Sequence, residues 1–248
     1  MLNLTVSGIV LRVQPSGDND RLCTILTDTH GVISAYARGA KNMKNKNCTG
    51  TAQFVYGNFE LYRRKDYYIV DESQYEQLYA GLREDIVRLT VAQYLCQLAM
   101  EIIPEEQPAQ DYLLVMRAAL YYLSENTRPA LMVKAASEMR MLSIAGYMPD
   151  LVMCPECGAY EADVMYFIPR TGQIKCGKCG IGGNEFGVEL GRGAMTAMRH
   201  SIYADIKKLF AFSLNEHSLT QFYRAAESFV LARLDKSLTT LEFLRGIL

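Results

Sequence analysis

Between residues 4 and 74 the chain alternates apolar and polar positions in short runs rich in β-branched and aromatic residues, the period-two pattern of half-buried strands. Turn-forming clusters interrupt the pattern at Pro15-Ser-Gly-Asp-Asn-Asp20, at Asp28-Thr-His-Gly31 and across residues 41–50. Strands are therefore expected near residues 4–13, 21–27, 32–38, 53–63 and 67–74, with links too short for crossover helices. Five short antiparallel strands in succession predict a small barrel, and the oligonucleotide-binding (OB) barrel has that strand count.

From Leu82 the period lengthens. Ile86, Leu89, Cys96, Met100 and Ile103 form one helical stripe, and Val91, Leu95, Leu98 and Ile102 form a second beside it, so this helix is expected to be buried. Pro104 ends it, Pro108 precedes a second helix over residues 109–123, and Pro129 opens a third that stops at Gly146. Three helices with short links predict a bundle. Residues 151–187 break the helical pattern, which returns from about Leu190 to the end. The expected class is α+β, divided into a barrel (1–80), a first helical part (81–150), an insertion (151–187) and a second helical part (188–248).

Half of the 248 residues are apolar and 21% are charged, which fits an ordinary globular chain. The net charge of −1 excludes coating of nucleic acid by bulk positive charge, so any such binding needs a local patch. No run of apolar residues is long enough to span a membrane, and residues 1–13 alternate like a strand rather than like a signal peptide. A cytoplasmic protein without a membrane partner is expected. The seven cysteines do not form a disulfide framework: Cys23, Cys48 and Cys96 are scattered, with Cys23 and Cys96 reading as small buried hydrophobes, and the other four sit in two tight pairs.

Those pairs are Cys154-Pro-Glu-Cys157-Gly and Cys176-Gly-Lys-Cys179-Gly, eighteen residues apart, the spacing of a four-cysteine zinc ribbon. Two residues between paired cysteines let both sulfurs converge on one ion, and Gly158 and Gly180 supply the permissive backbone of such turns. A closed four-thiolate shell has no position for substrate, so one structural Zn2+ is expected. Residues 164–168 and 172–175 read as a hairpin between the knuckles.

Enzyme motifs fail on inspection. None of His30, His200 and His217 stands in the H-x-E context of a zinc deaminase. The stretch from Gly172 to Cys179 approaches a phosphate-binding loop but places a cysteine where a magnesium-holding hydroxyl is required. The chain is expected not to be an enzyme.

Charge is unevenly distributed. Between Tyr36 and Lys65 lie Arg38, Lys41, Lys44, Lys46, Arg63, Arg64 and Lys65 against the single acid Glu60, a local net of +6. Ser34, Tyr36 and Arg38 share one strand face, opposite Ile33, Ala35 and Ala37. Tyr56, Tyr62, Tyr67 and Tyr68 add possible stacking surfaces, and residues 39–48 read as a flexible, positively charged flap. Cations that track phosphates and rings on which bases stack are what single strands require.

Taken in order, Gly8-Ile-Val-Leu11, Arg38-Gly-Ala-Lys41, Gly146-Tyr-Met-Pro149 leading to the first knuckle, Tyr166-Phe-Ile-Pro169 before the second, and Arg233-Leu-Asp-Lys-Ser237-Leu resemble the bacterial RecO recombination-mediator family over the whole chain. That resemblance implies an OB barrel, a helical domain and a zinc-binding module. It implies binding of single- and double-stranded DNA, annealing of complementary strands, and loading of RecA recombinase onto strands coated by single-strand-binding protein, in the nucleoid. Implied partners are RecR, in some bacteria RecF, the acidic C-terminal tail of single-strand-binding protein and, indirectly, RecA. Carried onto this chain, the metal role falls on Cys154, Cys157, Cys176 and Cys179. The DNA role falls on Arg38 and Lys41, extended to Lys44 and Lys46, with Tyr36, Arg63, Arg64 and Lys65 on the same patch. The competing reading is a zinc-ribbon RNA- or ribosome-binding factor, since barrel faces and knuckles serve RNA equally well.

Overall fold

The computed structural model describes residues 3–65, 67–183, 185–234 and 236–248. The chain divides into two compact units, Met1–Glu125 and Asn126–Leu248.

In the first unit, strands β1 (Asn3–Ser16), β2 (Asp20–Thr27), β3 (Gly31–Ala37), β4 (Tyr56–Arg64) and β5 (Tyr67–Gln77) close into a barrel in the order β1-β2-β3-β5-β4. β1 pairs with β4 through its first half and with β2 through its second, so it turns the corner of the barrel. Gly8 belongs to both ladders and faces Gly57 across one of them. A Cβ at Gly8 would stand 2.7 Å from the Leu26 carbonyl oxygen, and one at Gly57 would stand 2.1 Å from that of Gln74. The chain can cross itself this closely only where side chains are missing.

The strand positions expected from alternation are all present, but not all neighbours are antiparallel. β3 and β5 run parallel, with Ala35 opposite Tyr68 and Tyr36 opposite Ile69. The reason is parity, since a ring of five strands cannot alternate direction at every contact. The barrel interior holds Val6, Val10, Ile25, Ile33, Phe59, Leu61 and Val70, with the small side chains of Ala35, Ala37 and Cys23 between them. Burial pushes the Cys23 thiol up to about 11, and the Arg21 charge and a hydrogen bond to Thr51 only partly offset this. Cys23 and Cys96 are buried, as expected.

Helices α1 (Ile86–Ile102) and α2 (Gln110–Ser124) complete this unit and pack on the outside of β1, with α2 also touching β2. Asp85 caps α1 by accepting a hydrogen bond from the Arg88 N–H at 2.8 Å. The doubly apolar α1 is buried along most of its length, although Ile86 in its first turn is exposed. The link between the helices is laced to the β2–β3 hairpin, because Glu106 N–H donates to the His30 carbonyl and Ala109 N–H to that of Asp28.

The second unit is built around α3 (Ala130–Ile144), so the three helices expected as one bundle are distributed over both units. α3 packs against α4 (Arg192–Tyr203) and α5 (Glu216–Leu234), and α6 (Thr239–Ile247) follows. Asp235, in the segment that carries the C-terminal family resemblance, lies outside the described residues. Between α3 and α4 the chain forms β6 (Met165–Ile168), β7 (Gln173–Cys176) and β8 (Val188–Leu190), a sheet in the order β7-β6-β8. The hairpin β6–β7 is the expected one; the short β8 carries too few residues to show a period. Phe167 on β6 meets Phe229 on α5 edge to face at 5.4 Å, which seats the hairpin on the helix. No helix among the described residues is long and apolar enough to cross a membrane.

The interior of this unit contains charge. Lys134 on α3 is fully buried, with its Nζ 2.8 Å from both a Glu138 and a Glu227 carboxylate oxygen, and Arg245 on α6 donates to Glu227 at 2.6 Å. Burial opposes ionisation of Glu227, but the Lys134 and Arg245 charges prevail and hold its carboxyl below the usual 4.5. A depressed folded-state value stabilises above the unfolded value, so this contribution fades as pH falls below about 4.5. Lys134→Ala removes the cation from the buried Glu138 carboxylate and leaves Glu227 with Arg245 alone, and is expected to cost about 3–5 kcal/mol in equilibrium urea unfolding. Lys134→Met combined with Glu138→Leu should cost less than the single change, because it removes a buried charge of each sign.

Candidate nucleic-acid interface and metal centre

The basic segment between β3 and β4 is not an open flap. Asn42 N–H donates to Gly39, Asn45 to Asn42 and Cys48 to Asn45, so residues 39–48 fold as consecutive hydrogen-bonded turns. Asn47 is buried, with its amide donating to the Asp71 carbonyl at 3.0 Å and accepting from the Ser73 hydroxyl at 3.0 Å. Arg21 reaches from β2 to donate to the Cys48 carbonyl at 2.6 Å. Asn42 and Asn45 thus bond within the segment and to the end of β3, and Asn47 tethers the loop to β5.

This tethering sorts the eight candidate residues. Arg38 is exposed at the end of β3, and the Gly39 N–H after it donates to the Asp20 carboxylate at 2.8 Å. Lys41 donates from Nζ to the carbonyls of Gly17 and Asp18 at 2.6 and 3.2 Å, bracing the β1–β2 turn and leaving one ammonium hydrogen free for a phosphate. Arg64 pairs in register with Tyr67 at the β4–β5 turn, and Tyr67 meets Tyr36 edge to face at 5.2 Å. Tyr36, Arg38 and Tyr67 line one hollow of about 260 Å³ together with Ser16, Asp20 and Ile69. Arg38, Lys44, Arg64 and Lys65 form no ion pair among the described residues.

Other candidates point elsewhere. Lys46 is bound to Glu72 at 3.1 Å, and Arg63 to Glu106 at 3.2 Å with its guanidinium over Tyr68. Tyr56, one of the possible stacking surfaces, is buried beneath Arg117, whose guanidinium carbon lies 3.9 Å from the ring centre, and Tyr68 packs onto the barrel core. The cations of one sequence run therefore divide between an open rim and local ion pairs.

In the second unit the sulfurs of Cys154, Cys157, Cys176 and Cys179 all lie within 4.8 Å of one another, an arrangement that could hold a metal ion. Each knuckle closes in the same way: Gly158 N–H donates to the Cys154 carbonyl and Gly180 N–H to that of Cys176, both at 2.9 Å, with φ of +71° and +69°. These left-handed positions are open to glycine at little cost. Desolvation works against ionising Cys154, but N–H groups of Cys176, Glu156 and Cys157 outweigh it and bring the thiol down to about 6. The N–H of Cys179 holds the Cys176 thiol down in turn. Cys179 is pushed up through its contacts with Cys157 and Cys176, since four neighbouring sulfurs cannot all carry charge without a cation. A soft divalent ion removes that conflict, so the donor set fits a metal.

Two supports of this cluster have no motif in the sequence. Lys175 lies 3.2 Å from Glu156 of the first knuckle and 3.2 Å from Glu185 before β8, tying the two knuckles together. Arg199 of α4 donates to the carbonyls of Leu151, Val152 and Tyr160 and stacks on the Tyr160 ring at 3.9 Å, fixing the first knuckle to the helix.

Comparison with known proteins finds matches that extend over both units, with the two family models meeting between residues 79 and 83. Residues 1–79 match the family model described as Recombination protein O N terminal, and residues 83–242 match Recombination protein O C terminal. The chain is 31% identical over 244 residues to a DNA repair protein RecO of Acetivibrio thermocellus, covering 98% of this chain and 97% of that protein. It is 29% identical over 242 residues to a RecO of Symbiobacterium thermophilum, covering 96% and 95%, and 28% identical over 240 residues to one of Dehalococcoides mccartyi, covering 95% and 94%. A closed five-stranded barrel, a helical body carrying a four-cysteine cluster, and matches that run nearly end to end all lead to one assignment: the chain belongs to the RecO family of DNA repair and recombination proteins.

Proposed function

We propose that this protein is a recombination mediator that binds single- and double-stranded DNA, anneals complementary strands and helps load RecA recombinase onto strands coated by single-strand-binding protein. The observation that carries this reading is the convergence of Tyr36, Arg38, Lys41 and Arg64 around Tyr67, between the β1–β2 and β4–β5 turns. In OB barrels these two turns border the face that takes oligonucleotides. Arg38, Lys44, Arg64 and Lys65 meet phosphates directly; Lys41 does so with its remaining ammonium hydrogen, and Lys46 and Arg63 act at the margin of the patch.

No covalent step is required. Cations that hold two phosphate chains side by side lower the repulsion opposing their pairing, and binding free energy then shifts the strand from coated to annealed or recombinase-bound states. The protein acts in the cytoplasm at the nucleoid, without catalysis of its own. Its protein partners are RecR, RecF where that protein is used, and the acidic tail of single-strand-binding protein, with RecA engaged indirectly. In functional terms residues 1–80 form the DNA-binding domain, and residues 81–150 and 188–248 form a helical domain interrupted by a zinc ribbon at 151–187. The four cysteines hold one zinc ion, which supplies a fixed tetrahedral anchor for the ribbon.

Annealing of labelled complementary strands coated with single-strand-binding protein is expected to be faster with the wild type than with Arg38→Ala/Lys41→Ala/Lys44→Ala. In direct binding titrations the triple variant should also lower the salt dependence, by about one unit of log–log slope for each phosphate that is no longer neutralised. Lys46→Ala should weaken binding less than Arg38→Ala, because Glu72 already neutralises Lys46. Equal annealing by wild type and the triple variant removes the barrel patch from the mechanism, and displacement of DNA by RNA of the same sequence at lower concentration replaces this reading with an RNA-binding factor. Purified protein should contain about one zinc per chain, and Cys176→Ser should release it to a chromogenic chelator and lower the melting temperature. Retained metal with unchanged melting refutes the ribbon.

A further inference from the structure

We infer that the hollow between Tyr36 and Tyr67 is a pocket for one unstacked nucleobase, so that the barrel holds single strands by a base as well as by phosphates. The inference rests on the DNA-binding reading above and adds a ligand class and a binding mode to it. Both rings are half-buried and meet edge to face at 76°, so the edge of one rests on a face of the other and their remaining surfaces form a corner. Ile69, almost wholly covered, also lines the hollow, and the Asp20 carboxylate there is fixed by the Gly39 N–H.

Size and chemistry select the occupant. At about 260 Å³ the hollow is below the range of about 300–1,000 Å³ typical of pockets for drug-sized ligands, so it suits a single ring system. Its lining is more polar than apolar, with Tyr36 and Tyr67 beside Ser16, Asp20 and Arg38, which suits the edge of a flat heteroaromatic guest that carries its own donors and acceptors. Carboxylate and hydroxyl groups at its side accept hydrogen bonds from a base edge. Arg38 stands at the lip and Lys41 beside it on the β1–β2 turn, where the phosphates flanking an inserted base would run. A base inside a duplex has both faces covered by its neighbours and cannot enter, so the pocket discriminates by strandedness.

The test uses the full-length protein and a short single strand with one central 2-aminopurine, whose emission reports stacking. Binding should quench the emission, and the same strand paired to its complement should bind without further quenching. Tyr67→Ala should weaken single-strand binding on the order of tenfold and abolish the quench. A strand whose central positions are abasic should bind wild type and Tyr67→Ala alike, which separates removal of the ring from damage to the fold. Single-strand affinity and quench unchanged in Tyr67→Ala, with binding still abolished in the Arg38→Ala/Lys41→Ala/Lys44→Ala variant, would overturn the base pocket and leave the phosphate-binding role standing. No binding of any strand by the wild type would overturn both. Displacement of the strand by an equal concentration of free deoxynucleotide would overturn its assignment to a polynucleotide.

Discussion

Closing a ring with an odd number of strands forces one junction to run parallel, and the architecture of the first unit follows from that constraint. The parallel seam of β3 and β5 is pinned at only two register positions, whereas the antiparallel seams extend over most of each strand. Tyr36 and Ile69, one of the two register pairs of this seam, both line the hollow. It comes from the topology and not from an added loop.

The long link from β3 to β4 has to cross the barrel because β3 and β4 are not neighbours in the ring. A crossing of that length would be free to wander if its backbone groups were left to water. Instead Arg21, Asn47 and Lys41 tie it to β2, β5 and the β1–β2 turn, and these bonds set which cations face outward. Local hydrogen bonding therefore decides the electrostatics of the face, although the net charge of the segment is written in its composition.

Much of this is legible along the chain. Alternation locates all five strands, because one face of each is buried, and the paired cysteines with their following glycines announce the cluster. What stays hidden is what depends on separated residues meeting. Lys46 and Arg63 read as members of one patch, since nothing local reveals Glu72 and Glu106 beside them. Tyr56 looks like its neighbouring tyrosines along the chain, although Arg117, sixty-one positions on, covers its ring. Residues 39–48 read as a flexible flap because the β5 partners of Asn47, Asp71 and Ser73, are distant in sequence. Periodicity likewise shows α1, α2 and α3 as similar helices and cannot tell that the first two belong with a barrel and the third with α4 and α5.

Glu227 touches both a cation in the interior and one near the chain's last turn. The final helix is thereby wired to the middle of the unit and is more than a cover for it. Any partner, tag or cleavage that displaced Arg245 would shift the balance of charge around α3, some hundred residues earlier in the chain. A change at α6 would then be felt at the buried Lys134 through two side-chain contacts.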